Sequence, residues 1–194
     1  ILQGRCVGGS TTVNWTSSFR TPPTTLDWWQ SALGLKSLSV EAMAPWFLMM
    51  ERRLNVRRWS QDPNENNAVL ARGAAKLGIP VEIIPRNVKG CWNLGYCGMG
   101  CPTNAKQSML VTTIPAALDL GAQLLTEVRA ERFELANGKV TALICRNIEQ
   151  NSALAQAGRA QAAIKIVAKH YVLAGGAINS PAVLLRSGAP DPQG

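Results

Sequence analysis

Three segments of the chain carry residue types whose spacing could support chemistry. The first, residues 4–14, reads Gly-Arg-Cys-Val-Gly-Gly-Ser-Thr-Thr-Val-Asn. Adjacent glycines let a backbone come close to a ligand, and successive N–H groups can form a nest for an anion such as a pyrophosphate. Ser10, Thr11 and Asn14 add short polar side chains. The alternative is a tight Gly-Gly turn capped by hydroxyls, and composition alone favours neither.

The second segment, residues 171–181, reads Tyr-Val-Leu-Ala-Gly-Gly-Ala-Ile-Asn-Ser-Pro. Apolar residues run into two glycines, and a helix is predicted to follow with Asn179 or Ser180 as its N-cap and Pro181 in its first turn. A strand–glycine–helix junction places a helix N-terminus where a phosphate can bind. The segment is not a full Gly-x-Gly-x-x-Gly motif, so an ordinary β–α turn is the alternative.

The third segment, residues 91–102, holds Cys91, Cys97 and Cys101 among glycines and is followed by Pro102. Three thiolates in such a run could wrap a metal, and thiolates suit iron–sulfur chemistry. A cluster here would pass electrons to an electron-transfer partner. The alternative is a loop with free or disulfide-paired cysteines.

The hydrophobic periodicity predicts a mixed α/β fold that positions these segments. Asn137-Gly138 is a hairpin turn signal, and Ser39 is a candidate N-cap for the first long helix. We expect helices at 40–54, 64–77, 109–120 and 179–187, and strands at 81–84, 123–126, 129–135, 140–147, 164–167 and 170–173.

The composition excludes some classes of function. Hydrophobic residues make up 46% of the chain, enough for a core, and no apolar run approaches the roughly 20 residues of a transmembrane helix. We therefore expect no transmembrane segment. The net charge is +8, but much of the excess lies at residues 51–59, where arginines one helical turn apart indicate a solvated helix face. We expect no nucleic-acid binding.

The ends of the chain and its cysteines lead to two expectations, one about the length of the protein and one about its compartment. The chain starts with Ile1 inside the glycine-rich motif and stops at Gly194 after a loop-like stretch, so we expect an internal piece of a longer protein. Five cysteines, an odd number, with no signal peptide favour a reducing, cytoplasmic compartment. Membrane association through a partner is the alternative.

The first two segments together resemble the signatures of the glucose–methanol–choline (GMC) family of FAD-dependent oxidoreductases. Residues 4–14 are similar to Gly-Arg-x-Leu-Gly-Gly-Ser-Ser-x-x-Asn, with Val7 for Leu and Thr11 for the second Ser. Residues 172–181 are similar to Val-Leu-Ala-Ala-Gly-Ala-Ile-Asn-Ser-Pro, with Gly175 for Ala. The resemblance covers most of the chain and implies hydride transfer to FAD from the CH–OH group of an alcohol or sugar.

The resemblance also implies roles for single residues. Asn14 would lie near the isoalloxazine ring with Thr16 or Ser17 nearby, and Val128 would touch the adenosine end through its backbone. The residues that would line the diphosphate and the linker to the flavin are Gly8, Gly9 and Ser10 from the first motif and Ala174 and Gly175 from the second.

The same resemblance implies how the chain is organised and what it lacks. Residues 1–55 would form an FAD-contacting loop and interface helix, residues 56–107 part of a substrate-side domain with the cysteine-rich loop, and residues 108–194 part of a Rossmann-like FAD-binding domain. The single histidine, His170, matches no catalytic position of the family, so no catalytic residue is assigned. We expect the chain alone to be inactive and to bind FAD weakly or not at all.

The cysteine-rich loop has two precedents in the family that it resembles. Membrane-linked sugar dehydrogenases carry an iron–sulfur cluster on cysteines spaced in this way. Long-chain alcohol oxidases have similar loops followed by a stretch like residues 105–108, Ala-Lys-Gln-Ser, without requiring a cluster. The alternatives to a flavin oxidoreductase are an iron–sulfur electron-transfer dehydrogenase subunit and a basic binding domain without a cofactor. Substrate and electron acceptor stay open.

Overall fold

The computed structural model describes residues 3–148 and 163–190 and confirms the mixed α/β class. The chain divides into two compact units, Ile1–Gln123 and Leu124–Gly194. The division into three functional parts, at residues 55 and 107, stays a prediction. Within the described ranges, no helix is both long enough and apolar enough to cross a membrane.

The first unit combines four helices with a two-stranded antiparallel sheet. A short 3-10 turn near its start, Gly9–Thr12, lies in the glycine-rich motif. The helices are α1 (Pro23–Leu33), α2 (Val40–Arg53), α3 (Glu65–Lys76) and α4 (Thr113–Asp119), and the strands are β1 (Val56–Arg58) and β2 (Pro85–Asn87).

The long helices begin where local chemistry supplies a cap. The Ser39 hydroxyl accepts the Ala42 N–H at 3.1 Å, and the Asn64 amide oxygen accepts the Asn67 N–H at 3.0 Å. Each bond satisfies one of the N–H groups that a helix start leaves without an intrahelical partner. The predicted helices at 40–54 and 64–77 are thereby confirmed. Helix α1 is absent from the sequence-based predictions, and its leading proline, Pro23, occupies a first-turn position that tolerates proline.

Strand β2 links several parts of the first unit. It pairs with β1 from Val56 opposite Asn87 onwards, and an isolated bridge joins Ser17 to Arg86. Asn87 is buried, and its side-chain amide donates to the Gln107 carbonyl at 2.9 Å. Its backbone N–H donates to the Thr16 carbonyl at 3.2 Å. Three distant stretches of chain therefore meet at β2.

The described residues of the second unit form a three-stranded antiparallel sheet and one helix. The sheet order is β3 (Val128–Ala136), β4 (Lys139–Asn147) and β5 (Ala163–Ile166), and the helix is α5 (Gly176–Arg186). The predicted hairpin is confirmed, because Asn137 and Gly138 both have positive φ and join β3 to β4. The buried side chains of this unit include Phe133 from β3 and Val183 from α5.

Three predicted strands are wrong. Residues 81–84, 123–126 and 170–173 form no strand, because a strand needs a hydrogen-bonded neighbour and none of the described strands pairs with them. Their apolar side chains stay accessible: Val172, for example, is 91% exposed. The helix predicted at 109–120 is shorter, starting at Thr113, and the helix predicted at 179–187 starts earlier, at Gly176.

We predict that Ser187→Ala loosens the second unit locally. The Ser187 hydroxyl accepts the Phe133 N–H at 2.8 Å and donates to the Val183 carbonyl at 2.6 Å, so it joins the end of α5 to β3. Without it the Phe133 N–H loses its acceptor, at a cost of about 1–3 kcal/mol. Hydrogen exchange at the Phe133 amide should become faster. The control is Ser31→Ala, whose hydroxyl only bonds back within α1. An unchanged Phe133 exchange rate in Ser187→Ala would contradict the assignment.

Candidate functional site

The glycine-rich motif folds as a compact loop held by its own hydrogen bonds. We call residues 4–16 the glycine loop. The Gly4 N–H donates to the Ser10 hydroxyl at 3.0 Å, and the Gly9 N–H donates to the Cys6 carbonyl at 2.8 Å. The Thr11 hydroxyl donates to the Gly8 carbonyl at 2.5 Å. These bonds close the 3-10 turn and define the loop's path.

The two adjacent glycines of the loop serve different needs. Gly8 has a φ of +90°, and a Cβ built on it would lie 2.7 Å from the Thr12 hydroxyl and 2.9 Å from the Leu110 nitrogen. Gly9 has a φ of +58°, but a Cβ there would meet no atom within 4 Å. Packing therefore demands the first glycine, whereas the second leaves its backbone open on one side.

A buried lysine, Lys106, is hydrogen-bonded to the backbone of the glycine loop. Lys106 is 3% exposed, and its ammonium donates to the carbonyls of Thr12 at 2.9 Å, Asn14 at 2.5 Å and Cys97 at 2.6 Å. Three acceptors require three N–H bonds, which only the charged amine provides. Burial lowers the pKa of Lys106 below its ordinary value, and the nearby Cys97 and Cys101 act in the opposite direction.

Other contacts tie the glycine loop to the same region of the chain. The Thr11 hydroxyl accepts the Met109 N–H at 3.0 Å. The Trp15 ring lies over Gly98, where an added Cβ would come within 2.1 Å of the ring carbon Cη2. The glycine loop is therefore attached to residues 97–110 by an ion–dipole cluster, a hydrogen bond and an aromatic contact.

The structure brings six of the predicted cofactor residues together in the first unit: Gly8, Gly9, Ser10, Asn14, Thr16 and Ser17. Ser10, Asn14 and Ser17 are exposed. Thr16 is fully buried with a φ of +67°, and its N–H donates to the Asn14 side chain at 3.3 Å. Thr16 thus holds the loop's end in place, and its side chain faces no solvent.

The other three predicted cofactor residues lie in the second unit. Val128 begins β3 and pairs with Asn147. Ala174 and Gly175 are exposed just before α5, where the Gly175 N–H donates to the Ser180 hydroxyl at 2.9 Å. Gly176 follows with a φ of +85°, so the glycine pair turns the chain into the helix.

The cysteine-rich loop does not converge on a metal. Among the described residues, no three cysteine, histidine or acidic side chains lie close enough to hold one, and all five cysteines are unpaired. The Cys91 sulfur accepts the Asn93 N–H at 3.4 Å, and the Cys101 sulfur lies 3.5 Å from the Thr103 hydroxyl. Because the described residues include no group of side chains placed to hold a metal, the structure gives the iron–sulfur hypothesis no support.

The electrostatics of Cys101 agree with this local engagement. Burial acts to raise the pKa of the Cys101 thiol, but hydrogen bonds from the Thr103 hydroxyl and from neighbouring backbone N–H groups outweigh it and leave the pKa below its ordinary value. His170 is exposed in the second unit.

The residues that sequence reasoning missed are those that support the loop. In the sequence, Lys106 stands out only as part of an Ala-Lys-Gln-Ser stretch, and no pattern marks Asn87. A lysine among polar residues is usually solvated, so its burial under a loop some 90 positions earlier had no local signal.

We predict that Gly8→Ala destabilises the first unit more than Gly9→Ala does. Both substitutions place a side chain at positive φ, which costs about 1–2 kcal/mol. Only the Gly8 variant also overlaps the Thr12 side chain and the Leu110 backbone. Thermal unfolding should therefore shift further for Gly8→Ala, and equal shifts would show that the close packing at Gly8 is absent in solution.

Known proteins similar to this chain point the same way as its motifs. A profile of the GMC oxidoreductase family matches residues 1–194. An uncharacterized GMC-type oxidoreductase of Sinorhizobium fredii is 27% identical, over 96% of this chain and 35% of the relative. The long-chain-alcohol oxidases FAO4B and FAO3 of Arabidopsis thaliana are each 30% identical, over 99% and 97% of this chain.

The chain spans only part of these relatives, namely 26% of FAO4B and 25% of FAO3. The match to the family nevertheless extends over the entire chain, through both glycine-containing segments and the cysteine-rich loop between them. This chain belongs to the GMC oxidoreductase family.

Proposed function

We propose that the chain forms part of the FAD site of a flavoprotein that oxidises the CH–OH group of an alcohol or sugar. Membership of the family supports the reaction class. The glycine loop supports the position of the cofactor, because its backbone is held by internal hydrogen bonds and the residues Ser10 and Asn14 are exposed.

The observation that carries this proposal is the open space beside Gly9. Gly9 has a φ of +58°, which favours glycine, and a Cβ built there would meet no atom of the chain within 4 Å. The backbone at Gly9 is therefore open to a ligand, and a side chain at this position would take up that space. The residues therefore fit a cofactor whose diphosphate runs along the turn.

The contribution of the chain is to bind and orient. FAD, when bound, supplies the hydride acceptor. The Ser10 hydroxyl accepts a hydrogen bond from the Gly4 N–H, so its own proton is left to donate to an anionic oxygen. No residue of the chain is assigned to proton removal from the substrate.

The proposed substrate is a long-chain alcohol. Two of the relatives carry that activity in their names and match nearly all of this chain. Sugars remain the second substrate class to assay, because specificity depends on the shape of a pocket rather than on the fold.

We predict that Gly9→Ala weakens flavin binding at least tenfold, which corresponds to about 1.4 kcal/mol. The methyl group would occupy the space that the cofactor needs. The matched control is Gly34→Ala, which has a similar φ of +68°, also with nothing within 4 Å, but ends α1. Flavin titration of the complete gene product, followed by visible absorption, makes the comparison. Equal affinities in the two variants would reject the cofactor position, and a wild-type protein that binds no flavin would reject the function.

We also propose that these 194 residues by themselves do not turn over alcohols. Their one histidine is exposed and lies in the second unit. The expected outcome is no alcohol-dependent oxygen or dye reduction by the isolated chain, with no stoichiometric flavin retained. Tight binding of one FAD per chain would contradict this.

A further inference from the structure

We propose that Lys106 is the positioning residue that holds the glycine loop in its cofactor-binding shape. The inference rests on the proposed function, because it assumes that the glycine loop carries FAD. Lys106 itself is buried and would act through the loop rather than by touching the cofactor.

Lys106 sets the direction of two backbone carbonyls in the glycine loop. The Lys106 ammonium donates hydrogen bonds to the carbonyls of Thr12 and Asn14, two residues apart in the same loop. In a planar trans peptide the C=O and the following N–H point in opposite directions. When the Asn14 carbonyl turns inward to the ammonium, the Trp15 N–H is turned away from it. Lys106 thereby determines which way the backbone dipoles of the loop's end face.

The buried ammonium and the three carbonyls that surround it depend on each other electrostatically. Three carbonyl oxygens that converge on one buried point carry like partial charges, and each loses its hydrogen bond when the ammonium is removed. The salt bridges found among the described residues include none to Lys106. The convergence of carbonyls and the buried charge therefore stabilise each other, and neither persists without the other.

Lys106 also links the glycine loop to residues 97–110. The same ammonium binds the Cys97 carbonyl, and Trp15 covers Gly98. The Met109 N–H donates to the Thr11 hydroxyl in the same loop. The 97–110 segment thus contacts the glycine loop at several points, and Lys106 is the most buried of the residues that make these contacts.

The test replaces Lys106 with methionine, which has a similar length but no donors, in the complete gene product. The expected result is a dissociation constant for FAD at least tenfold higher. At saturating FAD, the visible circular dichroism of the bound flavin should also change, because the loop around it has moved. The control is Lys89→Met, since Lys89 is an exposed lysine of the same unit, and it should leave both measurements unchanged.

A flavin-independent measurement separates this inference from the proposed function. In the apoprotein, Lys106→Met should speed backbone hydrogen exchange in residues 4–16 while exchange in β3 and β4 keeps its wild-type rate. If this loosening occurs but the wild-type protein binds no flavin, the function is wrong and the positioning of the loop stands. If exchange in residues 4–16 is unchanged, the role of Lys106 is overturned whatever the flavin does.

A second variant covers the case in which Lys106→Met does not fold. Thr11→Val removes the acceptor of the Met109 N–H and so cuts a different link between the same two segments. It should weaken FAD binding in the same direction, by a smaller factor. Wild-type flavin affinity in Thr11→Val, or in a folded Lys106→Met protein, would overturn the proposal.

Discussion

The first unit is organised by the need of a buried ammonium ion for hydrogen-bond acceptors. Lys106 is shielded from water, so its charge must be met inside the protein, and backbone carbonyls of Thr12, Asn14 and Cys97 meet it. Carbonyls can converge in this way only if the chain around them adopts one path. The glycine loop and the cysteine-rich loop are therefore two sides of one cluster.

The same cluster explains why the glycine-rich motif has a definite shape. Gly8 allows the loop to pass close to Leu110, and Thr16 accepts a positive φ because its N–H and carbonyl are both bonded, the latter to Asn87. Such backbone strain persists where the surroundings specify it from several directions. Because the rest of the loop is ordered, a ligand can bind at the open side of Gly9 without a large loss of loop entropy.

The structural role of the cysteine-rich loop also depends on its contact with Lys106. Its spacing suggested a metal site, yet its contributions in the structure are a backbone carbonyl at Cys97 and a glycine under Trp15. Glycine is needed there because a side chain would collide with the aromatic ring. The loop thus supports the glycine loop, and this role accounts for Gly98.

The sequence by itself determined the features that depend on neighbours along the chain. These include the cap at Ser39, the Asn137-Gly138 hairpin and the two family signatures, since capping and turn formation act within a few residues. Only the tertiary structure decided that residues 81–84 and 170–173 are not strands, because pairing needs a distant partner. It alone also placed Lys106 beneath the glycine loop, because burial and convergence of carbonyls depend on contacts across some 90 positions, which no local pattern records.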